Sequence, residues 1–190
     1  MKTKVLTLIG ILIIAFAAMV APVMAADTDS GTAIITGDVA QTITLTPPAA
    51  PIALTLDPTL SPATDSGSDL GVSSNYPDWV VTAEDLLDSG KPALSDGIMV
   101  NWVMAGPGPY GTTLLASPLE LGTADGTGYT GSALTALTAQ FTFAQGDGTS
   151  AAADIFTIPL DLSQPVAYTD VVLPATETYQ IIVTFTGTTP

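Results

Sequence analysis

The sequence contains no cysteine, no histidine and no arginine, and only three lysines among its 190 residues. Without cysteine the chain forms no disulfide, and without cysteine and histidine it lacks the usual ligands of zinc, copper and haem. Ser-His-Asp and Cys-His nucleophiles are excluded for the same reason. We therefore predict a protein that is not an enzyme and needs no cofactor, and whose stability comes from the burial of apolar side chains.

Two of the three lysines stand at the N-terminus. Lys2 and Lys4 precede an apolar run from Val5 to Val20, and Pro22 and the small-residue sequence "VMAA" follow it. This order is typical of a secretory signal peptide, and the run is shorter than the roughly 20 residues that span a bilayer. We predict a signal peptide at residues 1–25, cleaved after Ala25, and a secreted protein at the extracellular cell surface. A retained N-terminal anchor is the alternative.

Cleavage would leave Lys91 as the single cation against 18 acidic residues. Binding to nucleic acid requires several basic side chains that displace counterions from phosphates, so nucleic acid is excluded as a partner. Docking of the mature chain on an anionic membrane is excluded on the same grounds. The expected partners are other copies of the chain, other surface proteins or glycans. Dissolved cations would screen the mutual repulsion of the acidic chains and permit close packing.

Apolar residues recur at every second position in several short segments, and helix-favouring Glu, Lys and Arg are scarce. This pattern predicts strands with one buried face. We expect an all-β fold, an antiparallel Ig-like or jelly-roll-type β-sandwich of eight to ten short strands, in one domain at 26–190. Residues 26–46 are predicted to be an exchangeable N-terminal strand. The clearest alternating sets are Val39, Ile43 and Leu45; Ile52, Leu54 and Leu56; Ile98, Val100, Trp102 and Met104; and Tyr179, Ile181, Val183 and Phe185.

Some local features are expected to interrupt these strands. The sequence "DSGSD", which contains Asp65 and Asp69, is predicted to be a loop because Ser, Asp and Gly favour turns. The segments "DLGVSS" and "DWVVTAED" are predicted to pair around "NYP". A single helical turn over 84–88 is an alternative to the end of the second of these strands.

Candidate site residues are few. Trp79 and Trp102 lie inside strand patterns, where large rings usually fill the core. Three tyrosines beside Pro or Gly in predicted loops are candidate ligand contacts, namely Tyr76, Tyr110 and Tyr129. Calcium is a candidate ligand because loop carboxylates suit a hard cation. The candidate calcium ligands are Asp65, Asp69, Glu84, Asp85 and Asp88.

Four segments carry a resemblance: "LGVSSNYPDWVVTAED", "GKPALSDGIMV", "IPLDLSQPV" and "ETYQIIVTFTGT". Together they resemble secreted β-sandwich surface proteins of archaea and Gram-positive bacteria, a group that includes WxL-type domains and TasA-like filament subunits. The WxL likeness implies attachment to peptidoglycan, although 79–81 and 102–104 carry Val and Met where that motif has Leu. The TasA-like likeness implies a sandwich that polymerises when one subunit lends a strand to the next.

The leading functional hypothesis is a non-enzymatic surface protein with a structural or adhesive role, as a filament or envelope subunit that assembles by β-strand addition. The alternative hypothesis is an extracellular carbohydrate-binding module, assisted by calcium, that contacts glycans through its tyrosines.

Overall fold

The computed structural model describes residues 36, 39–86, 91–92, 95–103, 110–149 and 154–190. The chain divides after Val39, and the unit Ala40–Pro190 contains all of the described strands. The predicted all-β antiparallel sandwich is confirmed, with more strands than the eight to ten expected. The described strands are β1 (Ile43–Thr46), β2 (Ala63–Ser74), β3 (Val80–Asp85), β4 (Val100–Val103), β5 (Tyr110–Leu114), β6 (Glu120–Gly122), β7 (Tyr129–Gly131), β8 (Thr135–Ala136), β9 (Phe141–Gly146), β10 (Asp154–Gln164), β11 (Glu177–Gln180) and β12 (Val183–Thr188).

The first sheet has the order β1-β2-β10-β6-β8. Its centre is the antiparallel pair of β2 and β10, which runs from Ser74 opposite Asp154 to Ala63 opposite Gln164. The predicted loop "DSGSD" is therefore wrong, because these residues continue β2. Backbone pairing with β10 outweighs the turn preference of Ser, Asp and Gly here, and the ladder accommodates a bulge between Leu160 and Leu162.

The second layer consists of the orders β12-β3-β9-β7 and β11-β4-β5. The segment 177–188 runs antiparallel to β4 and then to β3, with Glu177 opposite Val103 and Thr188 opposite Val80. Strands β3 and β4 thus lie end to end along this segment. The predicted pairing of "DLGVSS" with "DWVVTAED" is wrong, because β2 and β3 belong to different sheets and the intervening "NYP" connects them.

The alternating apolar residues from Tyr179 to Phe185 do not lie on one strand. Residues Ile181 and Ile182 separate β11 from β12, and the amide of Leu86 donates to the carbonyl of Ile182 at 2.8 Å. Tyr179 therefore belongs to the pairing with β4, whereas Phe185 belongs to the pairing with β3. The two residues between β11 and β12 lie opposite the gap between the end of β3 and the start of β4.

One apolar cluster fills the space between the sheets. Trp79 is 1% exposed and its ring centre lies 5.2 Å from that of Phe156, so it lies in the core. Phe143 and Phe185 make a second ring contact at 5.4 Å. Trp102 is only half-buried and packs edge-on against Tyr110, outside the main cluster. The other fully buried large apolar residues are Leu70, Val72, Val81, Val100, Leu121, Leu137, Ile158 and Leu160.

The alternation predicted over 51–58 persists without a strand. Ile52, Leu54 and Leu56 are half-buried, whereas Ala53 and Thr55 are exposed, and a short 3-10 turn at Pro58–Leu60 follows. The predicted signal peptide at residues 1–25 lies outside the described residues. Within the described part of the chain, no helix is long and apolar enough to cross a membrane.

Candidate functional site

The two sheets present their edges on the same side of the sandwich. Strand β1 is an edge of the five-stranded sheet, and β11 and β12 are edges of the three-stranded and four-stranded sheets of the second layer. The edges meet at Ile43 and Gly187, where a Cβ atom added to the glycine would stand 2.9 Å from Cδ1 of the isoleucine. Only glycine allows this approach without displacing Ile43, so the two edges are in contact at this end of the sandwich.

Past Thr46 the two edges are separated by an apolar groove of about 680 Å³. One wall is the segment 47–56, where three prolines prevent continuation of β1, and the other is the segment 178–185. The floor includes Leu119, Leu121 and Leu160, which are at most 3% exposed and belong to the core cluster. The groove therefore reaches the interior of the sandwich, in contrast to a superficial depression.

Both layers have strand edges without a described neighbour, and the edge formed by the segment 177–188 borders this groove. Strand β1 pairs with β2 only over Gly71–Ser74, so among the described strands the part of β2 at 63–70 has β10 as its only neighbour. The segment 177–188 likewise has β3 and β4 on one side and no described strand on the other. Such edges carry free N–H and C=O groups that can accept a further strand.

The candidate calcium ligands do not converge in the described structure. Asp65 and Asp69 lie four residues apart on β2, which places their Cα atoms about 13 Å from each other. Glu84 and Asp85 are consecutive on β3 and so point to opposite faces; the alternative helical turn at 84–88 is wrong for its described residues. Asp88 lies outside the described residues. No group of three or more acidic residues forms a metal site within the described part of the chain.

Asp85 has a different partner, which sequence reasoning missed. Its carboxylate makes a buried ion pair with Lys91, and the side chains are 3% and 1% exposed. The amide of Gly97 donates to the same oxygen, Oδ2, at 2.8 Å. The only signal in the sequence is a carboxylate six positions before the single lysine of the predicted mature chain.

The candidate tyrosines lie on three separate elements. Tyr129 is the first residue of β7, is 8% exposed, and packs edge-on against Phe156 at 6.0 Å, so it offers little surface to a ligand. Burial raises the pKa of its phenol. Tyr110 begins β5 and its ring lies 5.2 Å from that of Trp102. Tyr76 is half-buried in the connection after β2, where its amide donates to Oγ of Ser74 at 3.1 Å.

No known protein family, curated protein or solved structure matches the chain.

Proposed function

We propose that this protein is a non-enzymatic structural subunit of an extracellular surface, and that copies assemble when a segment of one chain enters the groove of the next. The observation that carries this proposal is the apolar groove between two sheet edges, with core leucines at its floor. The signal peptide predicted at residues 1–25 supports the extracellular setting.

A β-strand is the occupant that fits this groove best. An incoming strand can pair with the free edge of 177–188, and its alternate side chains can cover the floor. Each aliphatic side chain that becomes fully buried would stabilise the complex by about 1.5–3 kcal/mol before the entropic cost of association is subtracted. A flat polar ligand would leave the leucines of the floor in contact with water.

The proposed donor is the part of a second copy that precedes the contacts of Asn75 and β1, residues 26–38. The side chain of Asn75 fixes this end of β1: its Nδ2 donates to the carbonyl of Ala40 at 2.8 Å, and its Oδ1 accepts from the amide of Thr42 at 2.7 Å. The groove begins beyond the other end of β1, past the Ile43–Gly187 contact. To fill the groove of its own chain, the segment before β1 would have to turn back past the Ile43–Gly187 contact. The same segment of a neighbouring chain would not have to make this turn.

The proposed donor is shorter than the exchangeable segment predicted at 26–46. Its last residues, Ile43–Thr46, pair with β2 of the same chain in four successive positions. The proposed donor therefore ends before β1, and β1 stays in its own sheet.

Truncation tests the proposal. The predicted mature chain and a version lacking residues 26–38, which keeps the Asn75 contacts and β1, are compared by analytical ultracentrifugation and negative-stain microscopy at physiological salt. We expect oligomers or filaments for the first and folded monomers for the second. Assembly that is unchanged by the truncation, or a mature chain that stays monomeric over the accessible concentration range, would contradict it.

The absence of native cysteine permits a more specific test. Chains with Ile34→Cys are mixed with chains with Ile181→Cys, which lines the groove, and are oxidised. We expect a disulfide between the two kinds of chain, whereas a chain carrying both changes would form only an internal bond if the segment filled its own groove. The pair Ile34→Cys and Val172→Cys is the matched control, because Val172 is 93% exposed and does not line the groove.

A further inference from the structure

The single lysine of the predicted mature chain is placed in the interior. The Lys91 side chain is 1% exposed and its partner Asp85 is 3% exposed, although Asp85 is one of 18 acidic residues in the sequence. Enclosing two full charges costs several kcal/mol per ion, and their attraction offsets this cost only when the other polar atoms of both groups also find partners. An ion pair enclosed in this way therefore needs a complete set of hydrogen bonds.

The carboxylate of Asp85 does not have that set. Its Oδ2 atom contacts Lys91 and accepts from the Gly97 amide, but Oδ1 is buried without a hydrogen-bond partner in the described structure. An ionised carboxylate loses stability when one of its oxygens is buried and accepts no hydrogen bond. It is the oxygen that disappears if the carboxylate becomes an amide.

We propose that Lys91 and Asp85 form an intramolecular amide bond after the chain folds. The neutral amine attacks Cγ of the neutral carboxylic acid, and a bond forms between Nζ and Cγ. The bond between Cγ and Oδ1 breaks, and Oδ1 leaves as water with the acid proton and one amine proton. Oδ2 remains as the amide oxygen, and no oxidant or other reactant is consumed.

The surroundings favour this condensation. The two side chains are 3% and 1% exposed, so water has little access to compete with the amine for Cγ. The fold holds the amine against the carboxyl group, so the reaction needs no encounter in solution. The Gly97 amide at 2.8 Å from Oδ2 can stabilise the negative charge that develops on this oxygen during attack.

The bond would fix the connection between β3 and β4. Asp85 ends β3, whereas Gly97 precedes β4 and lies so close to Leu137 that an added Cβ would stand 2.6 Å from its carbonyl carbon. In a chain without cysteine, the amide would be a covalent cross-link between Asp85 and Lys91. Unlike a disulfide, it does not need an oxidising compartment to form. This inference is independent of the proposed assembly, because it concerns contacts within one chain.

Intact-mass spectrometry of the exported, folded protein tests it directly. We expect a mass lower than that of the mature sequence by one water, and a Lys91→Arg variant at its full sequence mass. Dehydration at Asp-Gly sites also removes water, and Asp96, Asp125 and Asp147 each precede a glycine. Fragmentation therefore has to locate the loss in a branched peptide that joins residues 85 and 91.

Amine labelling in denaturant provides a second measurement. An amine-reactive ester should label only the N-terminal amine if the amide has formed, and both this amine and Lys91 if it has not. A full sequence mass with two labels would overturn the proposal and leave an ion pair. A water loss accompanied by two labels would overturn it as well, because the loss then lies at an Asp-Gly site. Neither result depends on whether the Lys91→Arg variant folds.

Discussion

The Nδ2 atom of Asn101 donates to Oε2 of Glu177 at 2.7 Å and so joins β4 to β11 at the edge of the second sheet. The Oδ1 atom of the same amide accepts from the backbone of Thr113 on β5 at 2.9 Å. Asn101 is 6% exposed, and its side chain links its own strand β4 to both neighbouring strands, β11 and β5.

The stability lost when the Asn101 amide is replaced by a carboxylate should be recovered when Glu177 is replaced by an amide. In Asn101→Asp the contact with Thr113 survives, but two carboxylates face each other, so we expect the free energy of unfolding to fall by about 1–3 kcal/mol at neutral pH. In the double variant Asn101→Asp with Glu177→Gln, the new amide can donate to the new carboxylate, and most of the loss should be recovered. Urea denaturation of the four proteins measures this coupling. Additive losses would contradict the predicted contact.

Gly146 should tolerate no side chain. A Cβ atom at this position would overlap the carbonyl oxygen of Pro77 and stand 2.9 Å from Nε1 of Trp79. Because the first obstacle is backbone, we expect Gly146→Ala to lower the free energy of unfolding by about 1–3 kcal/mol or more. Gly67→Ala is the matched control: it lies exposed in β2, and its nearest neighbour would be 3.9 Å away. Its unfolding midpoint should change little, and equal effects of the two changes would contradict the prediction.

Alkaline pH should destabilise the fold through two tyrosines. Burial raises the pKa of Tyr129 and of Tyr179, and the phenol of Tyr179 donates to the carbonyl of Val171 at 2.8 Å. The folded protein keeps these protons at pH values where the unfolded chain, with a phenol pKa near 10, has lost them. Their contribution is complete below that value and disappears as the pH rises through the folded pKa.

Urea midpoints measured from pH 8 to about 11.5 test this expectation, since that range brackets the ordinary phenol pKa. The Tyr129→Phe and Tyr179→Phe variants should each lose part of the alkaline decrease, whereas Tyr168→Phe should retain all of it, because Tyr168 is 80% exposed. An alkaline decrease that is the same in all variants would assign the effect to other groups.

Association should respond both to salt and to a charge in the groove. Screening reduces the repulsion between acidic chains, so higher sodium chloride should strengthen the proposed assembly. Ala53→Asp should prevent it, because Ala53 is exposed, lines the groove, and would place a carboxylate next to an incoming strand. Val172→Asp adds the same charge away from the groove and should assemble like the unmodified chain. Sedimentation velocity measures all three effects, and loss of assembly in both variants would indicate general repulsion.

The alternation of apolar residues predicts the fold class, but it does not predict which strands are neighbours. The residues around Val81 and Phe143 follow a two-residue period, and both are buried as that period requires. The register of β2 with β10 depends on hydrogen bonds between backbones, which carry no residue-specific signal, so the composition of "DSGSD" alone favours a loop.

The sequence predicts neither the groove nor the buried ion pair, because each is formed by residues that only the folding of the chain brings together. The walls of the groove come from segments 47–56 and 178–185, and no local pattern indicates that these two segments face each other. The separation of β11 from β12 is invisible in the sequence, because the apolar stripe from Tyr179 to Phe185 continues through it. The glycine before Tyr129 suggests a loop, but that glycine belongs to a tight turn that leads directly into β7.

The pairing of β3 with β12 joins parts of the chain that are made far apart in time. The Thr82 hydroxyl meets the carbonyl of Thr186 across 104 residues of sequence. During synthesis, β3 and β4 have no neighbour on that side until the segment 177–188 has left the ribosome. Contacts of such long range slow folding, so the second layer stays incomplete until the last strands of the chain are available.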